Sequence, residues 1–439
     1  MPTSIHQRLA NYFGFAEHGT TWRIEALAGV TTFITMAYII FVNPAILSET
    51  GMPLAAVTTA TCLCAGVGSI LMGALANYPL ALAPGMGLNA YFTYTVVKGM
   101  GVPWQTALGA VFLSGVIFLL LTVGGIRQKL LGAVPHQLHA AVAGGIGLFI
   151  ALIGLRNAGL IVPSSATIVT LGDLHNHATQ LAILGIVLIA VLQAYRVRAA
   201  MLIGVLATLT VGILFHQVKY TPSAFDPMAI NATALQLDVR GALKMNALSI
   251  IFVFLFVDLF DNIGTLVAVT ERAGLIAEDH TIPRVGRIFF ADATSTVLGS
   301  LAGTSTVTSY IESSAGVAAG GRTGVTAIVT GLLFLVSIFV APMVGAIPEF
   351  ATAPALVLVG ALMVGGVAQI EWQEPRIGIP AFLTLVTIPL TYSIATGLSF
   401  GLISYAVLEI VTGRGRRQHC MLYLLAVLFL LRFIYLSSS

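Results

Sequence analysis

Apolar stretches of about twenty residues recur along the whole chain, and no other feature constrains its fold as strongly. Runs such as "SGVIFLLLTVGG" and "TGLLFLVSIFVAP" lie inside stretches near the ~20 residues that carry an α-helix across a bilayer. Only 8% of the residues are charged, whereas a soluble domain carries roughly 25%. The alternation of polar and apolar residues that marks a membrane β-barrel is absent from the sequence. The chain reads as an all-α polytopic membrane protein. Its opening "MPTSIHQRLANYFGFAEHGT" lacks an apolar core and a small-residue cleavage site, so removal of a signal peptide is not expected.

Apolar runs and their breaks place spans at 24–47, 54–76, 80–96, 104–123, 138–156, 178–194 and 199–216, then a polar connector over 217–245. Further spans follow at 246–270, 285–301, 304–320, 324–344, 353–369, 378–394 and 397–411. That is seven and seven, numbered here as spans 1 to 14. The net charge of +3 fits membrane orientation better than nucleic-acid binding, because the basic residues are scattered over short loops. With the N-terminus cytoplasmic, the inside carries Arg8, Arg23, Arg127, Lys129, Arg196, Arg198, Arg272, Arg284, Arg287, Arg322, Arg376, Arg414, Arg416 and Arg417. The outside carries only Lys98, Arg156, Lys219, Arg240 and Lys244, a clear positive-inside bias. The segment 420–436, with Arg432 within it, reads either as an interfacial helix or as a further span.

Spans 3 and 10 hold the same place in the two halves, and both are broken. Span 3 contains "APGMGLNAY" and span 10 contains "GTSTVTSYIESSAG". Proline and glycine interrupt helices, and lipid does not tolerate open backbone, so such segments are expected to line a polar cavity enclosed by protein. Interrupted segments at matching positions of two inverted repeats point to the midplane binding site of a transporter. Span 10 is expected to begin extended and to become helical near Glu312, turning amide N–H groups toward the cavity.

Most of the acids lie in loops or near the ends of spans, and the exceptions are Asp258 and Asp261 in span 8, Asp292 in span 9 and Glu312 in span 10. A charge facing lipid is expensive, about +2.5 kcal/mol or more, so each must pair, face water or take up a proton. Asp261 and Glu312 are the candidates for substrate binding and proton coupling. Gly264 after Asp261 is expected to allow a close approach. Asp258 and Asp292 read as helix-packing groups. Asn89, with both donor and acceptor, suits a heterocyclic amide edge, and the hydroxyls of Thr304, Ser305, Thr306, Thr308 and Ser309 offer further contacts, Thr308 and Ser309 to the substrate.

Other features read as bland. Cys62, Cys64 and Cys420 are packing residues, "DLHNH" at 173–177 is an outside loop and not a metal site, and "NAT" at Asn231 carries little weight. Gly299 and Gly303 read as helix packing. No hydrolase nucleophile elbow, Walker-type loop or HExxH motif occurs, so neither an enzyme nor an ATP-driven pump is indicated, and no cofactor or metal is expected.

The segments "EHGTTWRIEALAGVTTFITMAYIIFVNPAIL", "ALAPGMGLNAYF", "FLFVDLFDNIGTLVAV", "GTSTVTSYIESSAGVAAGGRTG" and "PAFLTLVTIPLTYSIATG" resemble the AzgA-like purine permeases of the nucleobase–cation symporter family. The resemblance runs from about residue 17 to 436. It implies a uracil-permease-type fold of fourteen spans in two inverted repeats. Residues 24–123 and 246–344 would form a core domain, and 124–216 and 345–439 a gate domain, with 1–23 cytoplasmic. Asn89, Asp261 and Glu312 match the family's functional positions. The uracil-type relatives have a coupling histidine where this chain has Thr265, so that part of their scheme does not transfer. The implied activity is import of adenine, guanine or hypoxanthine with protons, sodium being the less favoured ion, across the cytoplasmic membrane, and a homodimer is the implied assembly. The alternatives are a sulfate- or bicarbonate-type anion carrier of the same fold, or a channel. Two carboxylates in one pocket favour a neutral, N–H-bearing solute over an anion.

Overall fold

The structure, a computed structural model, describes residues 5–125, 135–219, 222, 224–276, 282–344, 347–413 and 420–436. Arg127, Lys129, Arg414, Arg416 and Arg417 lie outside the described residues. Nine helices among the described residues are long and apolar enough to cross a membrane, and they correspond to spans 1, 2, 4, 5, 6, 8, 11, 12 and 14. Ala200–Leu214 and Pro375–Thr391 are the shorter helices of spans 7 and 13. Val285–Ala302, with Arg287 and Asp292, is span 9.

Span 3 begins as strand β1 (Leu82–Pro84), becomes helical over Met86–Ala90 and continues as a wider π-helix to Gly99. Spans 5 and 6 are joined by an exposed hairpin of β2 (Ile161–Ser164) and β3 (Ile168–Leu171). Span 10 begins as β4 (Val307–Ser309), and its helix Ser313–Ala318 starts directly after Glu312. Strands β1 and β4 pair antiparallel, with Leu82 opposite Ser309 and Pro84 opposite Val307. The pair therefore satisfies backbone that a broken helix would otherwise leave open in the membrane.

Span 1 departs from the single run expected over 24–47. It consists of helices Trp22–Met36 and Ile39–Ser48, separated by a turn at Ala37–Tyr38. Pro44 sits inside the second helix and cannot donate to the Ile40 carbonyl. The turn is tightened by three-residue bonds from Ile40 N to Ala37 O and from Phe41 N to Tyr38 O.

The helix packing displays the repeat directly. Span 11 packs on spans 1 and 2, and span 4 packs on spans 8 and 9. Span 13 packs on spans 5 and 14, and span 6 packs on spans 12 and 7. Span 5 crosses span 12, as β1 meets β4. Exchanging each span for the one seven places away turns each of the first eight pairs into another of them and leaves the pairs 5–12 and β1–β4 as they are. Because seven is odd, the second repeat enters the membrane from the opposite side. Spans 5 and 12 cross so closely that a Cβ on Gly147 would lie 2.7 Å from the Gly360 carbonyl oxygen, and small residues are what permit such a crossing. The segment Cys420–Leu436 is a helix against spans 14 and 8, with Phe429 buried against Phe252 and Phe256.

One end of this packing is pinned by buried polar groups. Glu25, fully buried in the first turn of span 1, accepts from Thr20 Oγ1 at 2.9 Å and Thr326 Oγ1 at 2.6 Å. It also accepts from the backbone N–H groups of Arg322 and Thr323 at 3.0 and 3.3 Å. Asn77, in the left-handed region at φ 55°, accepts from Gly324 N and donates to Phe13 O. Together they occupy donors that the start of span 11 cannot satisfy within its own helix.

Candidate functional site

The β1–β4 pair brings the two broken segments face to face and continues past the strands. Gly85 N donates to Thr306 O at 2.9 Å, and Tyr310 N donates to Ala81 O at 3.0 Å. The Tyr310 hydroxyl donates to Pro84 O at 2.5 Å. A missing proline N–H and a run of hydroxyls thus become a two-stranded platform, flanked on each side by a helix start.

Asn89 is fully buried beside this platform. Its Nδ2 donates to Asn43 Oδ1 at 2.5 Å, and its Oδ1 accepts from Ser305 Oγ. Asn43 in turn donates to Thr61 Oγ1 at 2.7 Å and Thr304 Oγ1 at 3.1 Å. Spans 1, 2, 3 and 10 are thereby joined through two amides. Asn89 retains one amide N–H and one oxygen lone pair beyond these bonds. Asn43 was not among the sequence candidates, although a buried amide next to Pro44 in an apolar run is the same kind of signal that marks Asn89.

Glu312 sits at the junction of β4 and the span-10 helix, where its Oε1 accepts from the Tyr38 hydroxyl at 2.7 Å. Tyr38 comes from the turn in span 1. Asp261 approaches from span 8, within electrostatic reach of Glu312 and Asp292. Tyr310 feels both Glu312 and Asp261. The structure therefore brings Asp261, Glu312, Tyr38 and Tyr310 to one locality, with the β4 hydroxyls on the same segment as Tyr310 and Glu312 and Asn89 bonded to Ser305 at its start. Thr306, Thr308 and Ser309 are buried, and among the described residues their hydroxyls have no hydrogen-bond partner.

Other candidates fall differently. Asp258 and Asp292 are buried within the packing of spans 8 and 9. A Cβ at Gly264 would meet nothing within 4 Å, so no other backbone segment approaches it closely. Gly299 packs against the start of span 10, where a Cβ would lie 2.8 Å from Ser305 O, and Gly303 closes span 9 in the left-handed region at φ 96°. Cys62 and Cys64 are free and buried. Asp173, His175 and His177 stand exposed, and among the described residues no group of three His, Cys, Asp or Glu side chains is placed to hold a metal.

Spans 1 to 4 and 8 to 11 meet the remaining spans at several points around this site. At one end, Thr95 donates to the Tyr392 carbonyl at 2.5 Å, and Asn157 reaches the Tyr94 hydroxyl at 3.4 Å. Tyr94 itself donates to Glu49, which also pairs with Lys98. At the other end, Arg198 donates to Thr31 Oγ1 at 3.3 Å.

The sequence matches, over residues 23–400, the family described as the Permease family. It is 52% identical to a putative permease of Methanocaldococcus jannaschii, across 99% of this chain and all of that one. It is 44% identical to the adenine permease AdeP of Escherichia coli, across 99% of this chain and 98% of that one. It is also 44% identical to the guanine/hypoxanthine permease PbuG of Bacillus subtilis, across 98% of this chain and all of that one. Among solved structures, the transmembrane domain of the cyanobacterial bicarbonate transporter BicA superposes with a TM-score of 0.64 at 16% identity, covering 86% of this chain and 97% of that one. The murine anion transporter Slc26a9 in its inward-facing state gives a TM-score of 0.60 at 12% identity, covering 90% and 69%.

Proposed function

The chain belongs to the Permease family, among relatives named as adenine and guanine/hypoxanthine permeases, and from that premise we propose that it imports purine bases with protons. The observation that carries the reading is that Glu312, at the end of the β1–β4 platform, and Asp261 stand within electrostatic reach of each other. Two carboxylates accept N–H donors, and a purine base presents such donors along its edge. The hydroxyls of Thr308 and Ser309, which have no partner among the described residues, supply the complementary contacts with the remaining N–H of Asn89. An anion would meet two like charges here, so the likeness to anion carriers is one of fold.

The proposed coupling uses Asp261. Protonation of this carboxylate lowers the cost of carrying the loaded site past apolar surfaces. Spans 1 to 4 and 8 to 11 act as the moving core and the others as the gate, so the Thr95–Tyr392 and Arg198–Thr31 bonds break in alternation. The N-terminus is cytoplasmic, the membrane is the cytoplasmic one, and the gate spans are the surface for a homodimer.

Uptake of labelled hypoxanthine and adenine into proteoliposomes, with and without an inward proton gradient, tests this. Wild type accumulates purine only with the gradient, while Asp261→Asn loses accumulation. Accumulation that survives in the mutant removes Asp261 from coupling, and absence of purine uptake by folded wild type ends the substrate assignment. A finer test is Thr308→Val. Its hydroxyl has no partner among the described residues, so the folded protein loses nothing in stability. Affinity for hypoxanthine falls about fivefold, the equivalent of about 1 kcal/mol for one neutral hydrogen bond.

A further inference from the structure

We propose that Tyr38 is a positioning residue for Glu312, holding one carboxylate oxygen so that the ionised carboxylate presents the other to the substrate. The inference rests on the purine-binding reading of the Glu312 site. Tyr38 is completely buried at the turn between the two helices of span 1, and its hydroxyl donates to Glu312 Oε1 at 2.7 Å. Among the described residues no other side chain donates to Glu312. The neighbouring hydroxyl of Tyr310 is committed to Pro84 O, and Ser313 Oγ accepts from Ala81 N.

The geometry divides the carboxylate between protein and ligand. A carboxyl at a helix start can rotate about its side-chain torsions, and a bond to one oxygen from a buried ring removes that freedom. The other oxygen then points in one direction toward an incoming N–H. The turn at Ala37–Tyr38 is the feature that delivers the ring, since it interrupts the helix at the residue that makes the bond.

Tyr310 and Asp261 stand within electrostatic reach of the same locality, and of these side chains Tyr38 is the one that donates to Glu312.

The experiment is hypoxanthine uptake by Tyr38→Phe in proteoliposomes, with KM and kcat followed beside wild type. The expected result is a KM raised roughly tenfold or more, as befits a lost bond to a charged group, with kcat changed less than threefold. Tyr38→Gln, which restores a donor, recovers part of the affinity. If Tyr38→Phe does not fold, Tyr38→Met lacks the same donor, adapts to the same space and carries the same expectation. A KM within twofold of wild type overturns the proposal. So does a raised KM that Tyr38→Gln leaves as high as Tyr38→Phe does, since a packing role alone would give that. Wild type that takes up no purine fails at the earlier step and removes the substrate reading on which Tyr38 depends.

Discussion

Glu312→Gln weakens hypoxanthine uptake roughly 10- to 150-fold in KM, the range expected when a hydrogen bond to a charged group worth about 1.5–3 kcal/mol is lost. The substitution keeps the size of the side chain and lets Tyr38 still donate to the remaining oxygen. What it changes is the group left for the ligand. In one orientation an amide N–H₂ replaces the free carboxylate oxygen, so a donor faces the donor of the purine. In the other, the amide crowds the hydroxyl of Tyr38. Both orientations lose the charge. Glu312 lies at a helix start where the N–H groups of Ser313, Ser314 and Ala315 already bond to the carbonyls of Tyr310, Ile311 and Glu312, so the fold survives and the melting curve in detergent changes little. A KM within threefold of wild type removes Glu312 from the binding site.

Glu25→Ala acts on the scaffold and not on the site. Four donors converge on this carboxylate: two hydroxyls, Thr20 and Thr326, and two backbone N–H groups, Arg322 and Thr323. Each buried donor left without a partner costs about 1–3 kcal/mol. The hydroxyls can rotate to other acceptors, but the two N–H groups are fixed at the entry to span 11. The expected loss is about 3–5 kcal/mol, the range seen when one partner of a buried charged cluster is removed. Thermal unfolding of the purified protein shows it as a large fall in midpoint, with Glu25→Gln falling between Ala and wild type because it retains one acceptor. Equal midpoints for Ala and wild type contradict the anchoring role.

The architecture was legible in the sequence where the signal is long. Runs of about twenty apolar residues leave few alternatives in lipid, and among the described residues nine helices long and apolar enough to cross a membrane stand where spans were expected. Span 9 was readable despite Arg287 and Asp292, because the apolar residues around them persist. The two broken segments were legible because proline, glycine and hydroxyl residues have no other reason to stand at matching depths in both halves. Pairing between β1 and β4 was not legible, since strands of three residues carry no alternating pattern. Tyr38 and Asn43 were missed for a different reason. Along span 1 they read as ordinary members of an apolar run, and only the turn at Ala37–Tyr38 decides what they face. Glu25 looked like a span-end acid, and the donors that give it meaning lie about three hundred residues later in the chain.

That pairing across the two halves also governs the order in which the protein can be made. Tyr310 and Pro84, joined at the platform, stand 226 residues apart. At about 5–20 residues per second, the ribosome needs roughly 10 to 45 seconds between them. During that interval the first repeat is already synthesised, and Leu82–Pro84 has no strand beside it. Its open backbone must be sheltered by water, by the insertion machinery or by neighbouring helices until Val307–Ser309 emerges. The binding site is thus a late product of biogenesis, completed only when the second repeat closes on a first repeat that has waited for it.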